Sequence, residues 1–347
     1  MSTNQIKGQS FSACTESGNK EKISYLNCHF SDMEWRDATL HNVQFEKCRF
    51  ENVRFQACKL DDVLWLNCKL NQVHWSSCEL LYSNMLKSVA RGFHFSDGRM
   101  HHTSWNEVQG VDWKFDRVQA VHCIVVDSGI ERVAVQGGQW RDCVWAKCRF
   151  HDFSTEHSEM QRVVFAHCHI VRGRWHQCNA SNVRWTGCEI QDATLQTCDI
   201  AHAAWSQSQW ADGRIVDCTL PNACFDNTVL QGLQIGNSSM PMALFDGAQL
   251  SHCDCSGLQS DGMSLRGAKL EHVNLSAARL ERLDACGASL HEVNLKQAHV
   301  QHAKLLGQDP TIWSQADTQG STFRVRDDHD DVAWWQKYKP GVRETLS

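Results

Sequence analysis

The sequence predicts an all-β coil of square cross-section, a quadrilateral β-helix of about 14 turns with a cap at each end. Three observations predict it. Large apolar residues recur at every fifth position from Tyr25 to Leu305, through 57 positions and without a slip. A second column, two residues before each large one, holds small or compact residues such as Cys28, Met33, Ala38, Val43 and Cys48. The residues between are polar, often Asn, Asp, Ser or Gln. A period of five fits neither the 3.6 of an α-helix nor the 2 of a flat strand. It fits a coil in which each pentad makes one side of a square. The large residue and the small one before it point inward, and the polar residues turn the corner. Four pentads close one turn, so residues twenty apart stack. At roughly 4.8 Å per turn the rod is about 65–70 Å long.

Taken in order, residues 1–24 fall outside the clear register, contain Gly8, Gly18 and a Lys-Glu-Lys cluster, and are expected to cap the first coil. Residues 25–305 form the β-helix. Its weak inward members are Ala90, Gly110, Ala120, Thr155, Ala180, Ser260 and Ala285. Residues 306–347 leave the register as a C-terminal cap. Asp309-Pro310 breaks the chain, and Asp330 or Asp331 is placed to N-cap a short helix from Val332 to Tyr338, ahead of Pro340-Gly341.

The register, closest to an A-x-L-x-x pattern in Ala268-Lys-Leu270 and near it in Val293-Asn-Leu295, resembles that of the pentapeptide-repeat family over about four-fifths of the chain. The resemblance implies a right-handed helix. It says little about function, since one fold hosts many roles.

Cysteine and tryptophan, 18 and 14 residues, are both abundant. Fourteen of the cysteines fall in the small inward column, where a thiol fills a narrow core. There is no CxxC pair, so neither a disulfide framework nor a metal site is expected, and no cofactor. Ten tryptophans occupy large inward positions, where the family usually has Leu or Phe. Core filling is the main reading, and a swollen tube or indoles tilted to solvent is the alternative. One column at spacing twenty reads Tyr25, Phe45, Trp65, Met85, Trp105, Val125, Trp145, Phe165, Trp185, Trp205, Phe225, Phe245, so its aromatics are expected to stack.

Function must come from the outward surface. On three sides the residues flanking the large one are mostly polar. On the side with the aromatic column they read Leu64 and Leu66, Leu86, Ile124 and Val126, Val144, Val164, with a break at Ser104 and Asn106 and an end at Arg184 and Thr186. An apolar stripe of this kind marks an interface. It is expected to bind a protein partner or a second copy, with Trp334 and Trp335 of the tail as further contacts. No phosphate loop, GxSxG or HExxH is present, and a packed tube leaves no deep pocket, so no catalytic residue is expected and the protein is read as a non-enzyme.

The net charge is −6, from 34 Lys plus Arg against 40 Asp plus Glu, with most of the excess in residues 151–250. Direct nucleic-acid binding is not expected. No stretch approaches the roughly 18 apolar residues of a membrane span. The start lacks a charged-then-apolar leader, which points to the cytoplasm, non-classical secretion remaining open.

Three functions follow. The first is a protein-binding scaffold. The Cys/Trp-rich variant is similar to family members found with bacterial type VI secretion clusters, which implies an accessory role there. The second is an acidic rod mimicking DNA and binding DNA gyrase, as the resemblance to other members implies. The third is a delivered effector that binds a host protein.

Overall fold

A computed structural model describes residues 4–323. Its elements are short parallel strands, from Asn4–Lys7 to Ser289–His291, and the described residues contain no helix. The chain is a right-handed quadrilateral β-helix of about 14 turns. The spacing of twenty is its pairing register. Strand Thr39–Glu46 lies on Lys59–Leu66, with Leu40 beside Leu60 and Phe45 beside Trp65. The four sides are numbered here by their large residues: side I carries Phe45 and Trp65, side II Phe50 and Leu70, side III Phe55 and Trp75, side IV Leu40 and Leu60.

Burial follows the pentad. The large residue and the small one two before it are buried through nearly the whole coil, while the residue two after the large one is almost always exposed. That exposed residue is the corner. It takes a positive φ in turn after turn, as at Asn27, Asp32, Asp37 and Asn42 (50–51°). Asn and Asp tolerate this left-handed conformation better than other non-glycine residues, which is why they crowd the corners.

All ten inward tryptophans are at most 5% exposed. The indoles therefore lie inside the tube rather than tilted to solvent. On side I, Trp185 and Trp205 stack at 4.8 Å and Trp205 and Phe225 at 4.6 Å, nearly parallel, and Phe225 continues onto Phe245. Where the ring is too large for its coil, a glycine makes room. A Cβ at Gly110 would sit 2.6 Å from the Trp113 ring, one at Gly173 equally close to Trp175. Gly110 is thus a weak inward member because its neighbour Trp113, in the small column, has taken the space.

The thiols do more than fill volume. At the corners, the carbonyl of a large residue and the N–H three residues later face inward. A small-column side chain from the next coil bridges them. Cys78 Sγ donates to the Phe55 carbonyl at 3.3 Å and accepts from the Cys58 N–H at 3.4 Å. Ser208 does the same for the Trp185 carbonyl, at 2.9 Å, and the Cys188 N–H, at 3.0 Å. Cys68 reaches the Phe45 carbonyl at 3.2 Å. Burial pushes the thiols of Cys68 and Cys253 up, so they keep the proton they donate. In the later coils many corners close on themselves. The Ala248 N–H donates to the Phe245 carbonyl, the Ala268 N–H to Leu265 and the Ala278 N–H to Leu275, at 3.0–3.2 Å. A three-residue return with positive φ at its third position is the geometry of a type II turn. No bridge is then required at these corners, and alanine stands in the small column at Ala248, Ala268, Ala278, Ala288 and Ala298.

Residues 4–23 make a coil of their own, paired to the next at a spacing of nineteen: Asn4 lies beside Ile23, Ser10 beside His29 and Thr15 beside Glu34. Its inward positions are Ile6, Phe11, Glu16 and Lys20. The last two form an ion pair at 2.9 Å, each just over a quarter exposed, with Lys20 above the Trp35 ring at 6.0 Å. Inward-pointing charge is one way to blunt an open sheet edge. At the other end the chain turns through residues 309–316 and seats Trp313, 2% exposed, on the last coil. Asp317 and Thr322 then return to pair with His299 and Lys304. The sequence-predicted helix from Val332 to Tyr338 lies outside the described residues.

Two outcomes are expected. Cys68→Ala leaves the Phe45 carbonyl without its bridge and lowers stability by about 1–2 kcal/mol, whereas Cys68→Ser, which keeps a donor, costs less than half as much. Thermal denaturation of the two variants beside wild type reads the order directly. The double change Glu16→Leu and Lys20→Leu exposes an apolar edge, and light scattering across a concentration series should show end-to-end oligomers that wild type does not form.

Candidate interaction surface

Side I carries the sequence-predicted stripe, and the pairing register brings its members together. Before the large residue the column runs Leu64, Asn84, Ser104, Ile124, Val144, Val164, Arg184, each beside the next. After it runs Leu66, Leu86, Asn106, Val126, Ala146, Ala166 and Thr186 in the same pairings. Ile124 is 43% exposed, and the other stripe residues on this side are half-buried. Ser104 donates to Asn84 Oδ1 at 2.6 Å, so the polar break is a bonded pair rather than a loose gap. It divides the stripe into a patch at Leu64, Leu66 and Leu86 and a larger one from Ile124 to Val164. Trp334 and Trp335 lie outside the described residues.

Sequence reasoning missed two neighbours of the stripe. At the corner between sides IV and I, Tyr82, 55% exposed, stacks on His102 at 5.2 Å, and His102 on His122 at 4.9 Å. His101 meets both imidazoles edge-on. Partial burial, then the neighbouring His102, His122 and Arg141 charges, hold its pKa below the usual histidine range. The signal was available at spacing twenty: Tyr82, His102 and His122 share one corner column. Solvent-exposed aromatic and imidazole rings beside an apolar strip are a common composition for a protein contact.

The second is polar. Beyond Thr186, side I continues with Asp226, Asp246, Ser264, Arg266 and Asp284. Ser264 donates its hydroxyl to Asp246 Oδ1, and the Arg266 N–H donates to the same atom at 3.2 Å. The Asp246 N–H donates to Asp226 Oδ1 at 3.2 Å, and Arg266 pairs with Asp284 at 3.4 Å. Asp284 is 6% exposed. Burial raises the Asp246 pKa, and the Asp226 carboxylate adds to the rise, against the lowering by Ser264. The row stitches outward-facing amides that the coil itself leaves open. Among the described residues, no group of three or more His, Cys, Asp or Glu is placed to hold a metal ion, and no helix is long and apolar enough to cross a membrane.

Comparison with known proteins fits this register. The family profile "Pentapeptide repeat region" matches residues 21–95, and "Pentapeptide repeats (8 copies)" matches residues 243–282 and 268–307. Residues 21–95 and 243–307 are pentapeptide repeats of that family. No curated protein matches it. Among solved structures, it is similar to a trypsin-treated variant of QnrB1, a plasmid-mediated fluoroquinolone resistance protein, at 15% identity over 58% of this chain and 96% of that one, with a TM-score of 0.29. It is also similar to HetL, a pentapeptide-repeat protein involved in heterocyst differentiation regulation from Nostoc sp. strain PCC 7120, at 15% identity over 82% and 89%, with a TM-score of 0.20. A tailspike protein of E. coli bacteriophage HK620 gives 8% identity over 78% and 67%, with a TM-score of 0.36. These structural likenesses say nothing about the activity of this chain.

The Asp246 shift gives a signed expectation. A carboxylate whose pKa is raised in the folded state costs stability as pH climbs through the range between its ordinary and its raised value. Asp246→Asn removes that cost. The difference in melting temperature between variant and wild type should therefore be more positive at pH 7 than at pH 4.

Proposed function

We propose that this chain is a non-catalytic, protein-binding scaffold whose contact face is side I. The observation that carries the reading is contiguity: Ile124, Val144 and Val164 lie in direct register on neighbouring coils, with Val126 across from Ile124. Scattered apolar residues on a surface are ordinary, but a run over consecutive coils is not. The larger patch supplies the apolar centre, and Tyr82 with its stacked imidazoles supplies a rim of the kind that anchors protein interfaces. Trp334 and Trp335 are proposed as additional contacts. A rigid rod suits this role, since its face needs no ordering on binding. Placement in a bacterial secretion system, and a cytoplasmic location, are part of the same reading through the family resemblance.

The mimic of DNA is supported less well. It requires dense negative charge. The acidic groups of residues 151–250 are spread instead over several sides: Glu189 on side II, Asp199 on side IV and Asp226 on side I.

The test is a double substitution, Ile124→Asp with Val126→Asp, in chain that keeps its β-type circular dichroism. Wild type should form either a dimer by light scattering or a crosslink to a partner through a photoreactive residue at 144, and the variant should lose it. A variant that matches wild type in both measurements overturns the reading.

A further inference from the structure

The surface diagonal to the stripe has its own character. In the coils from residue 49 to residue 117, sides II and III carry Arg49, Arg54, Lys69, Arg91 and Lys114, all exposed. None of the five has an ion-pair partner among the described residues. They lie on a grid fixed by the pairing register: Arg49 beside Lys69, Asn71 beside Arg91, and the column Arg54, His74, His94, Lys114 with each member next to the last. Three coil steps, about 14 Å, span that column.

The carboxylates on the same two sides are already engaged. Glu51 pairs with His29 at 3.3 Å and Asp116 with His94 at 3.6 Å. Asp97 takes two bonds from Arg117, and Asp112 two from Arg132. Glu107, at the edge, pairs with Lys87. Positive charge is therefore left over on these sides, although the chain as a whole is acidic. The His74 imidazole senses it: burial, then His94, Arg54 and Lys114, all lower its pKa.

We propose that sides II and III of these coils form a second docking surface, for an acidic segment of another polypeptide. Complementary charge selects the partner's sign. Two features select polypeptide. Gln56, Asn71, Gln72, Ser76 and Ser96 interleave with the cations and offer hydrogen bonds to peptide amides. The large apolar or aromatic side chains exposed among the described residues are Tyr82, Ile124 and Val229, and none lies in this patch to stack on a base, as single-stranded nucleic acid requires. Side III is opposite side I, and none of the five cations lies on side I, so the proposal stands or falls independently of the apolar stripe.

The experiment uses the full chain and fluorescence anisotropy with four labelled probes: a twelve-residue Glu/Ser peptide, a Lys/Ser peptide of equal length, and a single-stranded and a duplex oligonucleotide. The Glu/Ser peptide should bind saturably at about 20 mM NaCl and weaken at least about tenfold by about 200 mM. The triple change Arg54→Gln, Lys69→Gln, Lys114→Gln should weaken it about tenfold, while Lys59→Gln with Arg99→Gln, equal in kind but on side IV, should weaken it by less than about threefold. Absent binding of the acidic peptide, equal loss in the side IV control, or tighter binding of either oligonucleotide would overturn the proposal. Matching circular dichroism spectra keep a folding defect from mimicking the loss.

Discussion

A side only five residues long forces a corner every five residues, and the corner is where the backbone is least well served. The sheet ladder runs along the axis and pairs each side with the one above it. At the corner the chain must enter the left-handed region, and a carbonyl and an N–H turn inward with no strand to meet them. A buried, unbonded backbone group costs about 1–3 kcal/mol, and a rod of this length has dozens of corners. Much of the composition answers that one demand. Asn and Asp at the exposed position ease the dihedral. Cys and Ser at the buried position bridge the orphaned pair. Where the turn closes directly, as at Ala248 and Ala268, the bridge is gone and alanine suffices.

The inward architecture was legible because it is written along the chain at a fixed step. Tyr25 to Leu305 gives the coil, and Cys48, Cys58 and Cys68 give the small column. What the thiols bond to was not legible at that step, because their acceptors lie 23 residues back, on another coil. The first coil was hidden for a different reason. Its spacing is nineteen, and Glu16 and Lys20 occupy inward positions, so a search for apolar residues stops at Tyr25 although the coil continues. The weak member Gly110 became intelligible with Trp113 lying across it.

The candidate surface divides in the same way. The stripe could be read because its residues adjoin the large column and are apolar. The stack of Tyr82, His102 and His122 sits in the corner column, where polarity is the rule and a ring does not announce itself. The free cations were harder still. A list of charges shows a balanced first half, and only the pairing of Asp97 with Arg117 and Asp112 with Arg132 leaves Arg54 and Lys114 in surplus. Lateral neighbours on a solenoid are a matter of spacing twenty, and charge cancels or accumulates column by column.

The exchange of bridged corners for self-closed ones gives the rod a chemical polarity. Sulfenic or sulfinic acid is larger and more polar than a thiol, and a column that has room for sulfur alone has no place for added oxygen. Cys28 to Cys218 are packed into the first two-thirds of the coil, while Cys253 and Cys255 are the buried thiols beyond them. Oxidative ageing therefore has a direction. It would undo the amino-terminal coils as they fray and leave the thiol-poor end standing, so that the same molecule is perishable at one end and durable at the other.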